Sequence, residues 1–374
     1  MLGNIAPSAL EEWLRTRYFS ARVDISSSGV ENYSLGDLRE LLDIPVDDLD
    51  DVVFRDSPSL GGDALRAAVG RRFGAETGKV MITNGSSEAL LLAMSALLRP
   101  GDEVVVQQPA YPSLRSIAQS IGVVLKIWEC DPTEGFRPDL DRLAGVLSDR
   151  TKAVVVNFPH NPLGVTLDHV GYQALLDLVD ACGAYLLWDA AFAELVYDAP
   201  PLPEPGAVHP RALSFGTLSK AYGLPGLRVG WCIGPHEVLD RMVLLRDYVS
   251  LNTSPLVETI ATRVLDRADA VIGPRLAQAR RNRALLADWA ADNADLVDLR
   301  LPQGGVSAFP RLRGFDSVDA LCADLCDAQG VLVVPGSCFD HPDRMRIGIG
   351  GPGDELADGL AAVVAAARRA ARFS

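Results

Sequence analysis

Between residues 78 and 233 the chain alternates short β-branched runs with helix-length amphipathic segments, a pattern few architectures accept. The runs are Val80–Thr83, Glu103–Gln107, Val123–Trp128, Ala153–Asn157, Ala184–Trp188, Ala212–Phe215 and Val229–Ile233. Segments such as Ser87–Leu98, Tyr172–Ala181 and Val238–Leu251 have helical spacing. Runs that are apolar throughout, rather than every second residue, predict strands covered on both faces. An α/β fold with a mainly parallel sheet follows.

The flanks read differently. Ala277–Asn293 has the spacing of a long helix and leads into four short strand candidates, Val297–Leu301, Gly305–Phe309, Val331–Val334 and Arg344–Ile349. These surround a helix at Val318–Ala328, and an alanine-rich helix follows from Glu355 to about Arg372. With the N-terminal helix Ala9–Tyr18 they predict a smaller α+β domain built from both chain ends. The expected division is residues 48–275 for the large domain, and 1–47 plus 276–374 for the small one.

Composition removes several function classes. A formal net charge of −14 argues against nucleic-acid or anionic-membrane surfaces, because both need clustered cations. No run of 18 uncharged apolar residues exists, and Met1–Trp13 has no basic stretch followed by an apolar one. A soluble cytoplasmic protein is the expectation. The six cysteines and five histidines are scattered without zinc-type spacing, so no metal site is expected.

Of 35 basic residues only four are lysines, Lys79, Lys126, Lys152 and Lys220. Three precede or occupy strands where solvated positions are expected. Lys220 instead follows a buried run, inside Thr217-Leu218-Ser219-Lys220-Ala221-Tyr222-Gly223, with Arg228 shortly after. A lysine held among hydroxyls and glycines at a strand end can lose its proton and attack a carbonyl. Thr217, Ser219 and Arg228 can bind a dianion beside it. Gly85, Ser86 and Ser87 open a helix and suit a phosphate, although taken alone they read more readily as a glycine turn with a serine N-cap. Asn161 lies in a proline-flanked turn, and Asp189 ends an apolar run where a carboxylate needs a partner, a cap or a role.

Taken together, G-S-S-E-A at Gly85–Ala89, P-x-Y ending at Tyr111, H-N-P-x-G at His160–Gly164, D-x-A-F at Asp189–Phe192, T-L-S-K-A-Y-G and the late Arg346-Ile347 resemble the pyridoxal-phosphate enzymes of the fold-type I aminotransferase superfamily. The resemblance implies an aspartate-aminotransferase-like fold with a seven-stranded sheet, a homodimer, and pyridoxal 5'-phosphate as cofactor. It implies that Lys220 carries the cofactor covalently and moves the Cα proton of an amino acid. Asp189 would pair with the ring nitrogen, Asn161 would bond the ring 3-oxygen, and Tyr111 would stack on the ring. Gly85, Ser86, Ser87, Thr217, Ser219 and Arg228 would hold the phosphate. Arg346 would fork the substrate carboxylate, and the Gly29 backbone would pass the substrate.

Two departures bear on the reaction. Phe192 stands where aminotransferases usually have a tyrosine bonding the ring 3-oxygen. No tyrosine occupies the stretch Phe54–Pro58, before the G-x-x-x-L-R motif at Gly61–Arg66, where many members supply one to the partner's phosphate. The segment Asp24–Gly36, with Phe54-Arg55-Asp56 and Arg344–Gly348, resembles the capreomycidine synthases and related hydroxyarginine cyclases. That resemblance implies a lyase acting on a 3-hydroxylated L-arginine in antibiotic biosynthesis, with an aminotransferase of the histidinol-phosphate or aromatic type as the alternative. Glu31, Asn32 and Asp56 are candidates to face the guanidinium, and read equally as solvated loop residues.

Overall fold

The computed structural model describes residues 5–371. Seven strands form the central sheet: β1 (Val80–Thr83), β2 (Glu103–Gln108), β3 (Val124–Glu129), β4 (Thr151–Asn157), β5 (Tyr185–Asp189), β6 (Ala212–Thr217) and β7 (Gly230–Ile233). Their spatial order is β1-β7-β6-β5-β4-β2-β3. The β2–β3, β2–β4, β4–β5 and β5–β6 pairs are parallel. Strand β7 runs antiparallel to both β6 and β1, so the sheet is mixed at one side.

Every residue of β1, β6 and β7 is buried, because helices cover both faces. Leu90, Met94 and Leu97 of the helix Ser86–Leu97 pack with Met81, Phe215 and Cys232 of the sheet. The edge strand β3 is only partly covered, and there Lys126 lies 3.7 Å from Glu103. Asn157 of β4 is in register with Asp189 of β5, and Asp189 with Phe215 of β6. The carboxyl ends of these parallel strands therefore meet at one edge, where ligands gather in open α/β sheets.

The chain ends pack together. Val23–Asp24 pairs in parallel with Val331–Leu332, and Met345–Gly348 pairs antiparallel with Ser307–Ala308 and Val334–Pro335. The single run expected at 331–334 is thus two short strands facing different partners. The long helix begins at Ala268, before the expected Ala277, and contains Pro274. A proline reads in sequence as a helix start, which hid the first turns. The C-terminal helix spans Gly353–Ala370, and Arg372 lies outside the described residues. The N-terminal helix is shorter than expected, Ala9–Arg15, capped by Ser8.

Gly348 and Gly350 let the segment 25–30 pass flush against the last strand. A Cβ on Gly348 would lie 1.9 Å from the Ser27 carbonyl oxygen, and one on Gly350 2.3 Å from that of Gly29. The contact is fixed by Gly348 N–H donating to Ile25 O at 2.8 Å and Glu31 N–H to Gly350 O at 2.9 Å. Among the described residues no helix is long and apolar enough to cross a membrane. No group of three or more His, Cys, Asp or Glu is placed there to hold a metal.

Candidate active site

A cavity of about 370 Å³ opens at the carboxyl ends of β4, β5 and β6. Its floor is Asp189, the last residue of β5, which is 5% exposed. The Ala191 N–H donates to Asp189 Oδ1 at 3.0 Å. Burial pushes the carboxyl up to about 6, with the Ala191 N–H and the nearby Lys220 charge opposing it. Asn157 at the end of β4 braces this floor, its Nδ2 donating to Asp189 O at 3.0 Å.

An anion cradle forms one wall. Gly85 caps the helix Ser86–Leu97 at φ 84°, and no side chain caps that terminus. Its first-turn N–H groups and positive dipole end are left for an anion. Glu88 turns back instead, accepting from the Asn84 N–H and amide. Opposite, Thr217 Oγ1 donates to Val229 O at 3.0 Å and accepts from the Ser219 N–H at 3.1 Å. Arg228 adopts a left-handed φ of 54° and brings its guanidinium against Gly85.

Lys220 projects into the cavity from the loop after β6. Its Nζ donates to Ser28 Oγ at 2.9 Å and lies 5.9 Å from the Phe192 ring centroid. Burial, then the Arg346 charge, lower the amine to about 8, while Asp189 and Glu11 oppose the shift. Arg346 is 2% exposed. Its Nη2 donates to Ser26 O at 2.8 Å and its Nη1 to Asn161 Oδ1 at 3.2 Å, while Nε has no partner. A buried guanidinium with an orphaned donor suits an incoming carboxylate.

A second chamber of about 470 Å³ adjoins the first and shares Ser28, Ser219, Lys220 and Arg346 with it. Asp24, Glu31 and Glu355 line it. Asp24 Oδ1 accepts from the Ser26 N–H and hydroxyl, and Glu31 pairs with Arg275 at 2.9 Å. Burial, then the neighbouring acids Asp24 and Asp354, raise the Glu355 carboxyl above its ordinary value.

The structure brings Ser86, Ser87, Tyr111, Asn161, Asp189, Thr217, Ser219, Lys220, Arg228 and Arg346 onto the first cavity. Gly85 stands behind Arg228, and Gly29 lines the second chamber. Tyr111 directs its hydroxyl at Glu11, 3.3 Å away. Glu31 and Asn32 line the second chamber, whereas Asp56 instead accepts from Asn252 at 3.3 Å. Sequence reasoning missed Ser28, Glu11, Asp24 and Glu355. Ser28 and Asp24 lie in the segment singled out beside Gly29, but no spacing rule separates them from ordinary loop residues.

The family model for aminotransferase class I and II matches residues 53–363. The chain belongs to this family. Within the aminotransferase family the chain is 55% identical over 357 residues to capreomycidine synthase of Streptomyces vinaceus, covering 95% of this chain and 92% of that protein. The arginine–pyruvate transaminase of Pseudomonas aeruginosa is 28% identical over 78% of this chain and 76% of its own. Among solved structures, the PLP-dependent cyclase OrfR superposes with a TM-score of 0.93 at 42% identity, covering 97% of both chains. An aspartate aminotransferase from Thermus thermophilus shares the fold, with a TM-score of 0.85 over 97% of both chains. The α/β architecture is thus that of the aspartate aminotransferases. The donors fit the family's cofactor: an uncapped helix start, two hydroxyls and Arg228 for a phosphate, and a buried, cation-seeking Asp189 for a ring nitrogen.

Proposed function

We propose that this enzyme is a pyridoxal-phosphate-dependent lyase that cyclises a 3-hydroxylated L-arginine to capreomycidine or a hydroxylated analogue. The observation that carries the reading is the second chamber, whose Asp24, Glu31 and Glu355 face a space shared with Lys220 and Arg346. An acidic chamber suits a guanidinium and not the carboxylate tail of an acidic amino acid. The likeness to capreomycidine synthase and to a PLP-dependent cyclase supports ring closure to a capreomycidine-type product.

The bound cofactor supplies an electron sink for the pair left when the Cα–H bond breaks. Ser86, Ser87, Thr217, Ser219 and Arg228, with the Gly85 turn, hold its phosphate. Asp189 would pair with the ring nitrogen, Asn161 would bond the 3-oxygen, and Tyr111 would pack on the ring. Lys220 would hold the cofactor before substrate arrives and afterwards, as a free amine, would take the Cα proton. Arg346 grips the α-carboxylate, and the Gly29 segment walls the substrate. The β-hydroxyl departs as water, a guanidino nitrogen adds to Cβ and loses its proton, and Cα regains one. The ring closed is six-membered, and the net change is loss of one water.

The same reading takes residues 48–275 as one domain and residues 1–47 with 276–374 as the other, in a cytoplasmic homodimer serving antibiotic biosynthesis. Exposed Val53, Phe54, Leu244 and Tyr248 support a second copy as the covering partner, since Asn252 bonded to Asp56 ties these two segments together.

Incubation with 3-hydroxyarginine and no keto acid tests the reaction. A product lighter by one water, with the cofactor absorbance restored after each turnover, supports it. Stoichiometric conversion of the cofactor to its amine form, turning over only with added 2-oxoglutarate, overturns it in favour of transamination.

A further inference from the structure

We propose that Ser28 is the proton donor to the departing β-hydroxyl, recharged by Lys220 across their hydrogen bond. The role rests on the cyclase reading above. Ser28 lies where the two chambers meet, lining both, and is 8% exposed. Its Oγ accepts from Lys220 Nζ at 2.9 Å, and among the described residues its own hydrogen has no protein acceptor. A hydroxyl accepts and donates at once, so it can pass a proton onward while receiving one.

The segment is held too firmly for this contact to be incidental. Ser27 O abuts Gly348, the Gly29 N–H donates to Ser27 Oγ at 3.1 Å, and the Val30 N–H donates to Lys220 O at 3.2 Å. Of the other hydroxyls around the cavity, Ser86 and Ser87 stand at the helix start on the phosphate side, away from the Lys220–Ser28 contact, and the rest are committed elsewhere. Thr217 donates to Val229 O, Ser219 meets Thr217, and Tyr111 is turned to Glu11. Phe192, 5.9 Å from Lys220, has no hydroxyl to give.

The proton balance closes without a further reactant. The Cα proton moves to Lys220 Nζ, making an ammonium. The Cβ–O bond breaks with its electron pair on oxygen, and the pair freed at Cα becomes the Cα=Cβ bond. Ser28 gives its hydrogen to that oxygen, releasing water, and takes one from Lys220, which returns to the neutral amine. A serine in direct contact with the lysine makes the acid available only after the lysine has been charged, which couples the two bond cleavages in order.

The test uses the cofactor-loaded wild type, S28A and S28T in deuterated water. Expected for S28A is a far smaller loss of Cα-deuterium uptake into L-arginine than of water loss from 3-hydroxyarginine, the latter slowed about 100-fold and largely restored in S28T. In the cofactor-free protein, S28A lowers the pH midpoint of Lys220 amine labelling, because the ammonium loses its acceptor. Water loss at the wild-type rate in S28A, an unmoved labelling midpoint, or exchange and water loss falling in parallel overturns the relay. A wild type that deuterates arginine but releases no water from 3-hydroxyarginine overturns the cyclase reading itself, and the relay with it.

Discussion

A Cβ built on Gly85 would lie 2.5 Å from Nη2 of Arg228. The contact joins two left-handed residues, one heading the phosphate-side helix and the other closing the loop after Lys220. Gly85→Ala pushes the guanidinium out of the cradle and adds backbone strain of about 1 kcal/mol. Pyridoxal phosphate affinity is expected to fall about tenfold or more while the far-ultraviolet circular dichroism stays unchanged. Spectrophotometric cofactor titration reads this, and wild-type affinity in the alanine variant would remove Arg228 from the cradle.

Arg346 and Asn161 are linked at 3.2 Å, which sets the guanidinium plane with Nε still free. Arg346→Lys keeps the charge and loses the fork, so affinity for the amino acid is expected to drop about 10- to 100-fold. The corresponding amine without a carboxylate should bind both proteins alike. Equal weakening of amine and amino acid would show that Arg346 shapes the cavity rather than gripping the carboxylate.

Asp189 is raised by burial to about 6. A raised acid binds its proton more tightly folded than unfolded. The stability this gives the cofactor-free protein is full below about pH 4 and lost as pH rises through about 6. Above that range its ionisation works against the fold. Asp189→Asn should therefore stabilise the cofactor-free protein near pH 7 by about 1–3 kcal/mol and flatten the stability profile between about pH 4 and 6. Catalysis should be lost in the same variant. Thermal melts across pH check it, and an unchanged slope would mean the carboxylate is not desolvated. Lys220 labelling adds a second readout, since removing the Asp189 charge lowers the amine further.

Much of this was readable in the chain because the large sheet is built from runs with little ambiguity. Buried β-branched segments such as Thr151–Asn157 have no alternative as amphipathic helices, and the residues ending them, Asn157, Asp189 and Thr217, then fall at one edge. Lys220 stood out because the other lysines have ordinary explanations, and the structure gives them ordinary partners. Lys126 meets Glu103, Lys79 donates to Ala207 O, and Lys152 lies over Tyr185. The second chamber was illegible for the opposite reason. Asp24 and Glu355 are far apart in sequence and meet only because residues 25–30 lie against the last strand and the C-terminal helix begins beside them. Contacts of that kind carry no local periodicity. The first turns of the long helix are hidden in the sequence because Pro274 breaks the pattern that local propensity offers.

Burial, then the charges of Asp24 and Asp354, raise Glu355, and Glu31, although paired with Arg275, adds to the repulsion. A guanidinium entering there relieves the repulsion and draws the Glu355 carboxyl back toward ionisation, so substrate binding should release protons where Glu355 is partly protonated. Glu355→Gln removes both effects. KM for 3-hydroxyarginine is expected to rise about tenfold with kcat little changed, whereas a neutral urea analogue of the same length should bind the variant as well as the wild type. Isothermal titration in two buffers of different ionisation heat reads the proton release directly. If the variant discriminates between guanidine and urea as strongly as the wild type does, the cationic end of the substrate lies elsewhere.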